Sequence, residues 1–197
     1  GAEFLAMILV VVYVGAVAVL FLFVVSVFGE RVRGGAEGFI FDLVRELSKW
    51  GLNIEVWTTD SDSVENRNSN LAGTESEIPG VLVRRFPTNI RSKYLFNFVH
   101  RFVSENRKIA GLSFNKIWTH TNLYGKGMSE ALVKEGGRYD AIHLFHYMSG
   151  TAHRLSGIFP SKTVIHPFIH DEPFLHTTLM RDLFAGKSKF HNVFHYR

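Results

Sequence analysis

The 197-residue chain contains no cysteine and only five prolines. The absence of cysteine excludes a disulfide framework and any metal site built on thiolates, and it permits a reducing compartment. Internal repeats and low-complexity tracts are also absent, which excludes a repeat architecture. At this length, with 46% hydrophobic residues, the chain can bury the core of one ordinary domain.

The charge balance is mildly basic. Lys and Arg outnumber Asp and Glu by 22 to 18, which gives a formal charge of +4 and a sequence pI of about 9.4. A basic surface favours anionic partners such as nucleotide diphosphates and acidic lipid headgroups. Nucleic acid is not an expected partner.

The amino end carries a long hydrophobic run, because residues 4–25 contain no charged side chain. A transmembrane helix needs about 20 such residues, so a membrane span is one interpretation. The favoured interpretation is a buried strand over residues 19–27, where Val and Phe run into a glycine loop and a helix. Residues 1–18 are then a hydrophobic leader, either a membrane segment or a remnant of cloning. A cleaved signal peptide is disfavoured by the lack of a basic start.

Further along the chain, strand and helix patterns alternate. An apolar face at intervals of three and four residues predicts a helix from Gly35 to Lys49. Further helices are predicted over residues 93–110, 123–134 and 149–156, and strands over 53–59, 81–86, 141–145 and 163–168. Residues 60–80 read as a long loop. This order predicts an α/β fold: a doubly wound, mostly parallel, Rossmann-like sheet with helices on both faces and ligands at the carboxyl ends of the strands.

The helix predicted over residues 93–110 mixes aromatic with basic side chains, including Tyr94, Phe98 and Arg101. One interpretation is a helix that packs on the core and exposes a solvated basic face. The other is an interfacial helix that lies on anionic lipid.

Glycines at the first strand-to-helix turn form the first candidate site. Gly34 and Gly35 let a ligand approach the backbone, and free amides at a helix start favour phosphate. Glu37 belongs to this candidate, although it is also a normal first-turn acid and the glycines fit a simple tight turn. The glycines do not fit Gly-x-Gly-x-x-Gly, so a nicotinamide enzyme is disfavoured.

Histidines after two later strands are the other candidates. His143 and His146 lie in and after strand 141–145, and each can be a ligand-binding residue or a packed, hydrogen-bonded one. His170 follows strand 163–168 and is flanked by Asp171 and Glu172, so it is the candidate to bind a hydroxyl group or move a proton. No metal is expected, because His166 and His170 would lie about 13 Å apart along a strand.

Several of these segments resemble the retaining glycosyltransferases of family 4. The resemblance rests on four segments: Phe28-Gly-Glu-Arg-Val-Arg-Gly-Gly-Ala-Glu37, Gly-Leu-Asn-Ile-Glu-Val-Trp-Thr-Thr59, Tyr139-Asp-Ala-Ile-His143 and His170-Asp-Glu172. The resemblance implies the acceptor-side, N-terminal half of a two-domain GT-B fold over residues 19–197, with the donor-binding C-terminal domain absent.

The same resemblance implies a function. A sugar would pass from a UDP- or GDP-sugar to a lipid or glycan acceptor with retention and without a cofactor, at the cytoplasmic face of a membrane. His170 would be catalytic, and Gly34, Gly35, Glu37, His143, His146, Asp171 and Glu172 would contact the donor diphosphate or the acceptor. The chain alone, lacking a C-terminal domain or partner subunit, would be inactive. The alternatives are a non-catalytic, membrane-associated binding module, a sugar-nucleotide epimerase and a plain membrane protein with a soluble tail.

Overall fold

The computed structural model describes residues 20–24, 35–61, 78–89, 93–105, 112–169 and 173–185. These residues form an α/β fold around a five-stranded sheet. Its strands are β1 Leu20–Val24, β2 Asn53–Thr59, β3 Leu82–Phe86, β4 Ala141–Phe145 and β5 Thr163–His166. They lie in the order β3-β2-β1-β4-β5, and every pairing is parallel.

Six α-helices lie in the described part of the chain. They are α1 Gly35–Lys49, α2 Lys93–Glu105, α3 Leu112–Thr121, α4 Met128–Glu135, α5 Gly150–Leu155 and α6 Thr178–Ala185. Short 3₁₀ turns cover Gly136–Arg138 and Pro173–His176. Among these described helices, none combines the length and the apolar character that a membrane crossing requires.

Strand β1 occupies the centre of the sheet because its sequence, LFLFV, has no polar side chain to solvate on either face. It hydrogen-bonds β2 on one edge and β4 on the other. Phe21, Leu22, Phe23 and Val24 are all at most 6% exposed. The predicted strand is therefore confirmed over residues 20–24, and residues 25–27 lie outside the described residues.

The sheet buries a separate hydrophobic cluster on each face. Phe21 and Phe23 point to one face, where α1 packs; we call it the α1 face. Leu22 and Val24 point to the other, the opposite face. The larger members of the opposite-face cluster are Trp57, Trp118, Tyr139, Tyr147 and Phe174. One strand thus supplies both clusters through the alternation of its side chains.

A buried carboxylate on β2 is neutralised on the opposite face. Glu55 accepts hydrogen bonds from Arg138 at 2.5 Å and from the Trp57 indole N–H at 2.7 Å. Arg138 also donates to the Tyr139 hydroxyl at 2.6 Å. Burial and the neighbouring Glu55 raise the pKa of Tyr139 above its usual value, so the phenol stays protonated. All of these side chains have partners, as a buried charge requires.

Two predicted helices differ from the structure. The predicted helix 93–110 is observed to Glu105, and residues 106–111 lie outside the described residues. The predicted helix 123–134 begins only at Met128, because Gly127 takes a left-handed φ of 77° and Gly125 is held in a bridge with Thr88. Helix α3 was not predicted.

The other strand and helix predictions are confirmed closely, with a difference at the end of β5. The strand stops at His166 because Pro167 has no N–H to extend the ladder and Phe168 takes a left-handed φ of 49°. The predicted helix 149–156 is observed as α5, with Ser149 as its N-cap. Most of the predicted loop 60–80 lies outside the described residues.

Candidate functional site at the carboxyl edge of the sheet

The residues predicted to bind or react lie in or after three strands that are neighbours in the sheet, β1, β4 and β5. The carboxyl ends of parallel strands meet at one edge, so the segments after these strands emerge side by side. Of the predicted residues, Gly35 is the first residue of the observed helix α1, and Glu37 belongs to the first turn of that helix. Gly34 and the segment His170, Asp171 and Glu172 lie outside the described residues, and so does the side chain of Glu37.

His146 leaves the end of β4 with a left-handed φ of 70°. Its backbone N–H donates to the His166 carbonyl at 3.1 Å, and its own carbonyl accepts from the Ser149 N–H at 3.1 Å. Phe168 takes the second positive φ among the described non-glycine residues, just beyond the neighbouring strand. Such conformations are costly for a bulky residue and often occur at functional sites. The backbone of this edge is therefore fixed by hydrogen bonds in an unusual conformation.

His143 lies in the middle of β4 and points to the α1 face. Its Nδ1 is 2.8 Å from Nε2 of His166 on β5, a hydrogen bond between two imidazoles. The two rings stack with centroids 5.1 Å apart. The ring of Phe23 stacks on His143 with centroids 4.9 Å apart, and the ring of Phe145 stacks on His166 at 4.5 Å. The four rings form one aromatic group, which we call the histidine stack.

Burial keeps the histidine stack uncharged. It lowers the pKa of His143 to about 4, and burial together with His143 lowers the pKa of His166 well below its usual value. The Nε2 of His143 is shielded from solvent and has no hydrogen-bond partner among the described residues. A neutral pair shares one N–H in its central bond, so at neutral pH it donates and accepts hydrogen bonds but does not supply a charged acid.

The structure thus places His143 in the packed, hydrogen-bonded arrangement that was one of its two interpretations. For its partner His166, the only role that the sequence raised was that of a metal ligand. The pairing depends on register, because β4 and β5 align His143 with Val164 and Phe145 with His166. A role for His143 in ligand binding stays a prediction.

A second polar group lies at the same edge, beyond β2 and β3, and the sequence did not indicate it. The carboxylate of Asp60 accepts from the Thr88 backbone N–H at 2.8 Å and also from its hydroxyl. Asn89 donates to the Asn122 carbonyl at 2.8 Å and accepts from the Tyr124 N–H at 2.9 Å. The only available signal was that Asp60 directly follows one predicted strand and Thr88 lies two residues after another.

Within the described ranges, no group of three or more His, Asp or Glu side chains is arranged to hold a metal ion. The predicted His170–Asp171–Glu172 segment lies outside those ranges.

Comparison with known proteins points to a family that the motifs did not suggest. The family model for NADH-ubiquinone/plastoquinone oxidoreductase chain 6 matches residues 1–59. Two curated proteins match, among them NADH-quinone oxidoreductase subunit J from Rhodobacter capsulatus, which is 46% identical over 67 residues. That alignment covers 30% of this chain, and the chain spans about a third of the relative's length.

These matches contradict the resemblance to family 4 glycosyltransferases. The same comparison shows that several expectations are wrong. These are sugar transfer, epimerase activity, and binding of nucleotide-sugar donors and glycan acceptors. The physical reason lies in the motifs themselves. Residues 28–59, which carried the opening of that resemblance, fall inside the matched segment, and a glycine loop between a strand and a helix is common to many α/β proteins. Over residues 1–59 the chain is similar to a subunit of an NADH-quinone oxidoreductase.

Proposed function

We propose that this chain is a membrane-associated component of an NADH-quinone oxidoreductase assembly, attached through its amino-terminal segment. The observation that carries the proposal is the family match over residues 1–59, which includes the whole uncharged run of residues 4–25. Uncharged apolar runs of this length are the usual sequence signal of membrane contact. The kind of assembly is inferred from the matched relative, which is a subunit of an NADH-quinone oxidoreductase.

We further propose that only the leader, residues 1–18, contacts the membrane, while residues 19–197 form a domain at its cytoplasmic face. The support is β1, because Leu20–Val24 is the central strand of the sheet and cannot also lie in lipid. The apolar residues left over, 4–18, would make a helix of roughly 22 Å, shorter than a hydrocarbon core of about 30 Å. Attachment at the surface fits this length better than a crossing.

For the domain itself, a doubly wound, Rossmann-like architecture is part of the proposal. Three features support it: a wholly parallel sheet, strand order 3-2-1-4-5, and a hydrophobic cluster on each face. In such folds ligands bind beyond the carboxyl ends of the strands, near the point where the strand order reverses. Here that point lies between β1 and β4.

The proposed binding residues lie in β4, as His143 does, or in the segments that follow β1, β4 and β5: Gly34, Gly35, Glu37, His146, His170, Asp171 and Glu172. His170 is proposed as the most reactive of them, since an imidazole beside two carboxylates can exchange a proton near neutral pH. The ligand class that suits helix-start amides and imidazoles is a small anion. Isothermal titration with phosphate and small carboxylates should give saturable binding that His170→Ala weakens, while His176→Ala, on an exposed histidine of the Pro173–His176 turn, leaves it unchanged.

Membrane fractionation tests the attachment. We expect the full chain to stay with bacterial membranes through a high-salt wash and to comigrate with NADH-quinone oxidoreductase activity in native gels. Val12→Lys places a charge in the middle of the leader and should release most of the protein, because a lysine in an apolar segment is costly to bury in lipid. The matched control is Ser69→Lys, which adds the same charge in the polar segment 60–80.

Two results would contradict the proposal. Recovery of the unaltered chain in the soluble fraction would exclude membrane association. Firm attachment without any comigration would exclude the proposed assembly.

A further inference from the structure

Helix α2 leaves one of its sides uncovered. Tyr94 is 89% exposed, Phe98 is 66% exposed and Leu95 is 47% exposed. Their spacing of one and four residues places them on one side of the helix. On the other side Val99 and Val103 are buried in the core. Single exposed apolar residues are common, but a contiguous group of large ones indicates an interaction surface.

The uncovered side belongs to a helix that is firmly held. Trp118 on α3 donates its indole N–H to His100 at 3.0 Å, and the ring of Phe174 stacks on His100 with centroids 4.7 Å apart. These contacts, with Val99 and Val103, fix the buried side of α2. The aromatic side chains on the exposed side therefore do not contribute to holding the helix in place.

Charge is concentrated around the same helix. Residues 91–116 contain six of the 22 Lys and Arg residues and one of the 18 Asp and Glu residues. The rest of the chain holds sixteen basic and seventeen acidic residues, which nearly cancel. The net positive charge of the protein is thus carried by residues 91–116, the stretch of sequence that contains α2 and α3. The single acid, Glu105, pairs with Arg101 at 2.7 Å.

We propose that α2 binds an anionic lipid surface through Tyr94, Leu95 and Phe98, lying in the plane of the membrane. Aromatic rings settle at the level of the headgroups, and nearby Lys and Arg side chains reach the lipid phosphates. At 13 residues the helix is roughly 20 Å long, too short to cross a bilayer but suited to lie on one. The inference rests on the proposed membrane association and names a second contact for it, separate from the leader.

The absence of cysteine allows a probe at a single position. Asn97→Cys in the full chain places an environment-sensitive fluorophore on the exposed side of α2 without removing an aromatic residue. Val133→Cys is the matched control, since Val133 is 64% exposed on α4. On addition of phosphatidylglycerol vesicles we expect a blue shift, and quenching by spin-labelled lipid, at position 97 only. Phosphatidylcholine vesicles should give neither.

Variants then test the aromatic residues themselves. Tyr94→Ser with Phe98→Ser, in the labelled chain, should raise the lipid concentration for half-maximal response at least about tenfold, because burying two aromatic side chains in lipid contributes strongly to partitioning. Val133→Ser and Leu82→Ser remove apolar side chains of similar exposure elsewhere and should leave the response unchanged. Circular dichroism of each variant confirms that it is folded.

The outcomes separate the two proposals. Cosedimentation of the chain with vesicles, without a response at position 97, overturns the role of α2 and leaves membrane association intact. No cosedimentation overturns both. A response at position 97 to soluble polyglutamate but not to vesicles identifies an acidic protein partner and also overturns the lipid assignment.

Discussion

The two faces of the sheet handle buried polar groups in different ways. The opposite face buries a charged carboxylate, Glu55, and supplies it with Arg138 and the Trp57 indole. The α1 face buries two uncharged imidazoles and leaves one nitrogen of His143 without a partner among the described residues. The opposite face therefore depends on an ion pair, whereas the neutral imidazole pair is sensitive to acid. The difference therefore predicts that the α1 face, with its two buried imidazoles, loses more stability in acid than the opposite face loses through His153.

The largest effect expected is the loss of an aromatic ring from the histidine stack. Phe23→Ala should lower the free energy of unfolding by about 3–5 kcal/mol, because it removes a buried ring and leaves a cavity beside His143. Leu22→Ala, its neighbour on the opposite face, should cost about 2–5 kcal/mol. Urea unfolding measures both. A smaller loss for Phe23→Ala than for Leu22→Ala would show that the α1 face is the less tightly packed of the two.

Acid should weaken the α1 face next most strongly. The pKa of His143 falls from 6.5 to about 4 on folding, so the unfolded chain binds more protons between those values and stability decreases as the pH falls through them. Each such histidine contributes a loss of about 1.4 kcal/mol per pH unit. The unaltered chain therefore loses free energy of unfolding as the pH falls from roughly 6.5 to 5. The double variant His143→Leu with His166→Leu should show a loss smaller by about 2–4 kcal/mol over that range.

A single histidine on the opposite face provides the control for this pH dependence. Burial also lowers the pKa of His153 to about 4, and its Nε2 lies 3.1 Å from the Tyr147 carbonyl. His153→Leu should therefore remove about half as much of the acid-induced loss as the double variant. Unfolding curves at several pH values measure the slopes. If the double variant and the unaltered chain lose stability equally with falling pH, the imidazole pair is not neutral and buried.

A moderate effect is expected from breaking the charge pair on the opposite face. Arg138→Ala leaves the buried Glu55 without its charged partner, so that the charge-neutral donors Trp57 and Tyr139 remain. The full penalty for such a change is about 3–5 kcal/mol, but Arg138 is half exposed and water partly replaces it, so we expect about 2 kcal/mol. Arg101→Ala, which breaks an exposed pair with Glu105, should not change stability measurably. Equal effects of the two substitutions would mean that burial of Glu55 is unimportant.

The smallest effect concerns a helix start on the opposite face. The Ser149 hydroxyl accepts from the Ala152 N–H at 3.0 Å and caps α5. Ser149→Ala should cost about 1 kcal/mol, whereas Ser149→Asp should retain most of the stability, because a carboxylate also caps. Thermal unfolding distinguishes them. Equal losses in both variants would show that burial of the site, and not capping, controls its stability.

The sequence was informative wherever one local pattern decided the structure. The uninterrupted apolar run predicted β1, and the periodic apolar face predicted α1. Helix α3 was missed because its polar end, Trp-Thr-His-Thr, has no clear periodicity and its buried Trp118 is fixed by contacts with α2. The start of α4 was misplaced because Asn89, 35 residues away in sequence, holds Tyr124 in a non-helical conformation.

The candidate site shows the same limit. The sequence identified His143 but could not pair it with His166, since that contact depends on the register between β4 and β5. The polar group around Asp60 and Thr88 is likewise formed only when β2 and β3 lie side by side. The resemblance failed for another reason: short glycine and histidine motifs describe a common local geometry and do not specify a chemistry.

The central position of β1 has a consequence for synthesis of the chain. Its second edge is covered only by β4, and Phe21 pairs with Ala141, 120 residues later. At translation rates of about 5–20 residues per second, the apolar segment waits roughly 6–24 s for that partner. During this interval Leu20–Val24 lacks the strand that covers its second edge, and it is part of an uninterrupted hydrophobic run that is exposed near the ribosome exit. Under the proposed membrane association, lipid that is reached early would compete for this segment with β4, which is synthesised late.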